Sequence, residues 1–245
     1  MGILTAIWEK WVEFKFEWKK ITLAALVSPI LYMIALGWGL GSSTTVTDRP
    51  YIDFLVPGLI AMCTMTNSFS AVATTLNVQR LFEHSFEQII ISPTSLSQYV
   101  IGQAIGGGLR GMYSGLLVLL ISLPFGIGIK VTPAFFLVML LNGVAFGALG
   151  VLAAILASTH SDVGRFSTFV ITPMTFLCNT LFPLEKIPGA IQILIKLLPL
   201  THASGQLRSI AYGEGASWDS VLILAAYAVL FISLSIYFIK KRKNF

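Results

Sequence analysis

The chain has 245 residues, 56% of them hydrophobic and 11% charged, with a formal net charge of +5. Soluble domains carry about 25% charged residues, so this composition excludes a water-soluble enzyme or binding module for the bulk of the chain. The basic balance does not point to nucleic acid, because Lys and Arg crowding the ends of apolar runs are a topogenic signal.

Residues 1–20 read as a helix lying in the membrane interface. At a helix's ~100° per residue, Ile7, Trp11, Phe14 and Trp18 share one side and Glu9, Glu13, Glu17 and Lys20 the other. An aromatic belt on a cytoplasmic tail is the other reading. The segment lacks the apolar core of a cleavable signal. Apolar runs follow at about 21–41, 54–78, 99–123, 134–157, 166–182 and 220–239, each near or above the ~20 residues that cross a hydrocarbon core. Lipid offers the backbone no hydrogen-bond partner, so such runs mean transmembrane helices. The expected fold class is an all-α polytopic membrane protein with six spans, one domain over 1–245. Lys10, Lys15, Lys19, Lys20, Arg80, Arg165 and the tail Lys240–Lys243 fall on the side of both termini. Arg49, Lys130, Lys186, Lys196 and Arg208 fall on the other, so the termini are expected in the cytoplasm.

The second run is polar for a membrane helix, with Thr64, Thr66, Asn67, Ser68, Ser70, Thr74, Thr75 and Asn77. Such a face should look into the bundle, a subunit interface or a wet path. Residues 80–92 then form a short amphipathic helix on the cytoplasmic side, ended near Ser92-Pro93. It either lies on the membrane or docks a cytoplasmic partner, with Phe82 and Phe86 as anchors and Arg80, Glu83, Glu87 and Gln88 around them. Gly102, Gly106, Gly107, Gly111 and Gly115 in the third run, and Gly143 and Gly147 in the fourth, permit close helix packing. Arg110 is the one charge inside a run. It either snorkels and bonds backbone carbonyls, or faces a translocation path with Asn67, Thr74 and Asn179. No carboxylate partner for it is visible in the runs themselves.

After the short fifth run comes LFPLEKIPGAIQILIKLLPLTHASGQLRSIAYG. Its apolar piece 190–198 is too short to cross, and Pro183, Pro188 and Pro199 break it. Residues 184–212 are expected as an outer re-entrant hairpin, with Ile191, Ile193, Leu194, Leu197 and Leu198 in the leaflet and Glu185, Lys186 and Arg208 near water. An outer cap shielding the bundle is the alternative. Phe182, Pro183, Ile191, Leu194, Pro199 and His202 are the candidate outer gate.

These features, with FEQIIISPTS at 86–95, LFPLEKIP at 181–188 and LLPLTHASGQLRSIAYG at 197–213, resemble the membrane subunits of ABC-2 type transporters over essentially the whole chain. The Pro-Leu-Thr-His segment resembles the branch that exports lipo-oligosaccharides and drugs; many relatives have Asn where Leu198 stands. The resemblance implies two cytoplasmic ABC ATPases docked on the 80–92 coupling helix. It also implies a second permease copy meeting this one through the first and fifth spans, and a prokaryotic inner membrane location. ATP and Mg would sit on the partner, since the chain has no GxxxxGK[ST] loop. No catalytic, cofactor or metal residues are expected: HExxH and GxSxG are absent, His84, His160 and His202 fall in three loops, and Cys63 and Cys178 read as small core residues. Two rivals remain, an intramembrane lipid enzyme and a secondary transporter or channel. The first needs ionisable residues within the bilayer, of which the runs offer only Arg110; the second usually needs intramembrane carboxylates or a half-to-half internal repeat, and the sequence shows neither.

Overall fold

A computed structural model describes residues 2–39, 45–46, 49–83, 85–91, 95–125, 127–184 and 188–243. The chain is an all-α polytopic membrane protein apart from a two-residue ribbon, β1 (Thr45–Val46) against β2 (Arg49–Pro50). Its helices are α1 (Gly2–Tyr32), α2 (Tyr51–Leu81), α3 (Ser85–Ile91), α4 (Leu96–Ser122), α5 (Pro133–Leu156), α6 (His160–Phe166), α7 (Thr172–Leu177), α8 (Gly189–Lys196), α9 (Pro199–Tyr212) and α10 (Trp218–Lys243). A π-helical turn, Met33–Trp38, extends α1, and another, Ser167–Ile171, joins α6 to α7.

Among the described residues five helices are long and apolar enough to cross a membrane: α1 with its π turn, α2, α4, α5 and α10. The run expected as a fifth span, 166–182, is not one of them. Helical structure there covers 160–177, is polar at its start, and stops at Leu177. It nevertheless climbs the full height of the bundle. His160 meets Asn77, Phe166 stacks on Phe69, and the Leu181 carbonyl accepts from Tyr51 at 2.5 Å. The stretch of α2 so followed is ~39 Å tall at 1.5 Å per residue. Non-helical residues 178–181 complete the climb, three of the four buried, and Ser204 Oγ donates to the Cys178 carbonyl at 2.7 Å. Irregular backbone at this depth is tolerated when protein covers and pairs it.

The expected break between an interfacial helix, 1–20, and a first span, 21–41, is absent. α1 is continuous through both, because its N-terminal half finds a partner in α4. Gly102 and Gly106 present bare backbone to Ala6 and Lys10, and a Cβ at either glycine would lie under 3.0 Å from those side chains. Of the carboxylate side of α1, expected to face water, Glu9 and Glu13 pack inward while Glu17 and Lys20 stay exposed, as do Trp8, Trp11, Phe16 and Trp18.

The core is α2, α4 and α5, close-packed around Leu59, Met65, Phe69, Val118, Met139 and Phe146. Two glycines set the α4–α5 spacing: a Cβ on Gly143 would stand 2.8 Å from the Gly108 carbonyl oxygen. Asn142 Nδ2 donates to the Ala61 carbonyl at 3.0 Å, and Ser68 donates to the Gly143 carbonyl, so polar side chains also tie these helices. α9 plugs the opposite end of the bundle from α3, with Leu200, Ala203, Leu207 and Ile210 buried.

Candidate functional site

The polar face of α2 is only half used by the core. Thr64 and Ser68 point inward, while Thr66, Asn67 and Ser70 line an open groove of about 280 Å³. Ser28 and Tyr32 of α1 form one wall and Thr175 of α7 the other. Spacing explains the sorting, since Cys63, Asn67, Ser70 and Thr74 recur at helical intervals down one side. Thr74 is exposed and carries this face on toward the α3 end, beyond the groove. Thr66 Oγ1 and Asn67 Nδ2 each donate to the backbone one turn back, at 3.0 Å. Each keeps further hydrogen-bonding capacity for a bound molecule. No described lining residue is charged.

Arg110 does not face this groove, and it does have a carboxylate partner. Its Nη1 lies 2.7 Å from Glu13 Oε1. Thr75 Oγ1 donates to the same oxygen at 3.1 Å, and Lys10 Nζ donates to Glu13 Oε2 and the Ala71 carbonyl, each at 3.0 Å. One turn earlier Glu9 accepts from Gln79 and, at 3.0 Å, from Gln103. Asn179 is also away from the groove. It sits in a left-handed turn, φ 55°, with its carbonyl accepting from Arg208 at 2.8 Å.

At the α3 end the coupling candidates separate. Arg80 turns inward and donates to the carbonyls of Ala154, Ile155 and Ala157, covering the last turn of α5. Phe86 is buried against Tyr99 and pins α3 to the bundle. Phe82, Glu83 and Gln88 face outward, Phe82 with its ring edge-on to His160. The side chain of Glu87 lies outside the described residues.

At the other end Pro183 and Pro199 are buried, Phe182, Ile191 and Leu194 exposed, and His202 Nε2 stands 2.9 Å from the Lys196 carbonyl. Arg208, expected near water, is buried instead. It lies on Phe54 and donates to the carbonyls of Phe54 and Asn179. Glu185 and Lys186 lie outside the described residues.

Residues 1–212 match the model of the ABC-2 type transporter family. The chain belongs to the ABC-2 type transporter family. It is 30% identical to nodulation protein J of Rhizobium meliloti (strain 1021) over 241 residues, covering 95% of this chain and 92% of that one. It is 31% identical to the inner membrane transport permease YadH of Escherichia coli (strain K12) over 204 residues, 81% of this chain and 78% of that one. Nodulation protein J of Bradyrhizobium diazoefficiens is 26% identical over 246 residues, 97% and 93% of the two chains.

As an ABC-2 membrane domain the chain is a transporter component, and its functional surfaces are paths and contacts. Sequence reasoning missed the carboxylates Glu9 and Glu13 as the partners of Gln103, Lys10 and Arg110. The signal was present, since Glu9 and Glu13 lie four residues apart beside Lys10, but a pattern with Trp and Phe opposite reads equally well as a helix lying on lipid.

Proposed function

We propose that the chain is the permease subunit of an ATP-driven exporter that moves an amphipathic or lipid-linked cargo outward across the inner membrane. Lipo-oligosaccharides and drugs are the cargo classes that fit. The observation that carries the reading is the uncharged groove of Ser28, Tyr32, Thr66, Asn67, Ser70 and Thr175, open at the side of an otherwise apolar bundle. Hydroxyls and a carboxamide at membrane depth suit a hydroxyl-rich head group whose acyl tail stays in lipid. They do not suit a bare ion, for which charged or clustered carbonyl ligands are the usual equipment.

In this reading two copies pair along α1 and α7, so that their grooves face each other and form one path. Two ABC ATPases, holding ATP and Mg, dock on α3 from the cytoplasm, and both termini lie on that side. The relatives' names support the reading in kind: one is called an inner membrane transport permease.

The test is co-expression with an ABC ATPase of the same cell, co-purification, and reconstitution into proteoliposomes. ATP-dependent appearance of a lipo-oligosaccharide on the opposite leaflet is the expected result. Replacing Thr66→Val and Asn67→Leu should lower it roughly tenfold or more, with the complex still assembled. A chain that binds no ATPase and moves cargo without ATP would refute the proposal.

A further inference from the structure

α1 hardly touches α2 along its length. Around Ser28 and Tyr32 the two helices stand apart, and the polar groove lies between them. Beyond the α3 end of the groove they are joined, and the joints are polar; past its other end the π turn after α1 packs on α2 near Ile52. On α2 the groove takes residues 62–70 and the joints follow at once, at Ala71, Thr75 and Gln79. On α1 they are Glu9, Lys10 and Glu13. Arg110 and Gln103 of α4 back the carboxylates.

Such a cluster at membrane depth is costly unless every member is paired, and here the charges balance: Lys10 and Arg110 against Glu9 and Glu13. Gly106 leaves room for the Lys10 stem, which a Cβ would strike at 2.9 Å. The cluster is also one step from the coupling helix. Gln79 precedes Arg80, and Ser85, the first residue of α3, reaches back to the Gln79 carbonyl at 3.5 Å. Apolar packing would hold α1 just as well, but only hydrogen bonds of defined geometry let go together when the end of α2 shifts by an ångström or two.

We propose that Glu13, with Glu9, is the inner latch of the groove: these carboxylates hold α1 against α2 and close the groove toward the α3 side until α3 is moved. They are positioning residues for transport. The inference rests on the reading of the chain as a permease, but it can be tested without ATPase or cargo.

The test uses the full chain with Cys63→Ser, Cys178→Ala and Ser70→Cys, in membrane vesicles of either orientation. Ser70 lines the groove and is exposed within it. The readout is the rate of modification by a membrane-impermeant methanethiosulfonate. With the latch intact the thiol should react slowly from the α3 face. Glu13→Gln should raise that rate roughly tenfold or more, with the rate from the opposite face little changed. Arg110→Lys keeps a charge partner and should stay near the parent. Thr75→Val, which removes one bond, should fall between.

Should Glu13→Gln not reach the membrane, Glu9→Leu removes the bridge to Gln79 and reads the same latch. Parent-like rates from the α3 face in whichever of these two variants inserts would overturn the proposal, as would equal acceleration from both faces. A chain that shows the latch but never transports would leave this inference standing and remove the export reading alone.

Discussion

The guanidinium of Arg208 sits over the ring of Phe54, its central carbon 3.7 Å from the ring centroid, and its Nη2 donates to the carbonyl of that same residue at 3.1 Å. One side chain thus ties α9 to the first turn of α2, and through the Asn179 carbonyl to the turn that follows α7. Arg208→Ala should leave both buried carbonyls short of a donor, at a cost of about 1–3 kcal/mol each before water or relaxation offsets it. The expected outcome is a lower thermal unfolding midpoint in detergent. Arg208→Lys should recover only part, because an ammonium cannot stack and fork at once. An unchanged midpoint in Arg208→Ala would contradict this account.

Arg80 closes the far end of the molecule in the same manner. Its bonds to Ala154, Ile155 and Ala157 cover carbonyls that α5 cannot satisfy internally. Arg80→Gln should speed hydrogen exchange of amides over 154–160 while α4 and the centre of α2 keep their protection. Uniform exchange across all three helices would show that Arg80 has no local role.

Phe82 and Phe86 should part company in a binding assay. Phe82 is exposed, so Phe82→Ala is expected to weaken ATPase binding with little change in stability. Phe86 is buried against Tyr99, so Phe86→Ala should loosen α3, with a core cost of about 3–5 kcal/mol at most. Titration of the ATPase onto each variant, alongside its melting curve, separates the two. Equal loss of binding with equal stability would mean that burial does not distinguish them.

How much of this was legible in the residues depends on what each signal encodes. Length and hydropathy carried α2, α4, α5 and α10, because crossing lipid is a demand on composition that neighbours do not alter. Gly102, Gly106 and Gly143 announced close packing, since nothing else explains small residues at that spacing. Partnership was another matter. Arg110 looked alone because its carboxylate, Glu13, sits 97 residues earlier in a segment whose Trp and Phe suggested a helix on the surface. Arg208 looked wet because a buried Arg is rare, and only the fold brings the Phe54 ring and two carbonyls to it.

The start of α6 offers a pH test outside the spans. Backbone and side-chain hydrogen bonds from Thr159, then the Ser158 amide and the Arg165 charge, hold the Asp162 carboxyl below its ordinary value. A depressed carboxylate contributes stability above its unfolded value and loses it as pH falls through the folded one. Acid should therefore fray the first turn of α6, read as faster exchange at 159–163. Asp162→Asn should remove that pH dependence, and a dependence that survives the substitution would assign it to another group.

The hairpin of α8 and α9 carries an unburied apolar face. Ile193, Leu194 and Leu197 are more than half exposed, while Ile195 is buried and Thr201 Oγ1 donates to its carbonyl at 2.6 Å. Leaving three large aliphatic side chains in water would forfeit about 25 cal/mol per Å² of apolar surface, so lipid or a second copy should cover them. Polar caps hold the segment in place: His202 meets the Lys196 carbonyl, and Tyr227 donates to that of Leu197. Single cysteines across α8 in a Cys-free chain should therefore fall into classes. At 193, 194 and 197 they should resist an impermeant thiol reagent and react with a lipid-soluble one; at 195 they should resist both; in α9 the buried face of 203 and 207 should resist both as well. Uniform labelling by the impermeant reagent from 189 to 212 would mean a solvated outer loop, and neither a leaflet-dipping hairpin nor a gate could be built from it.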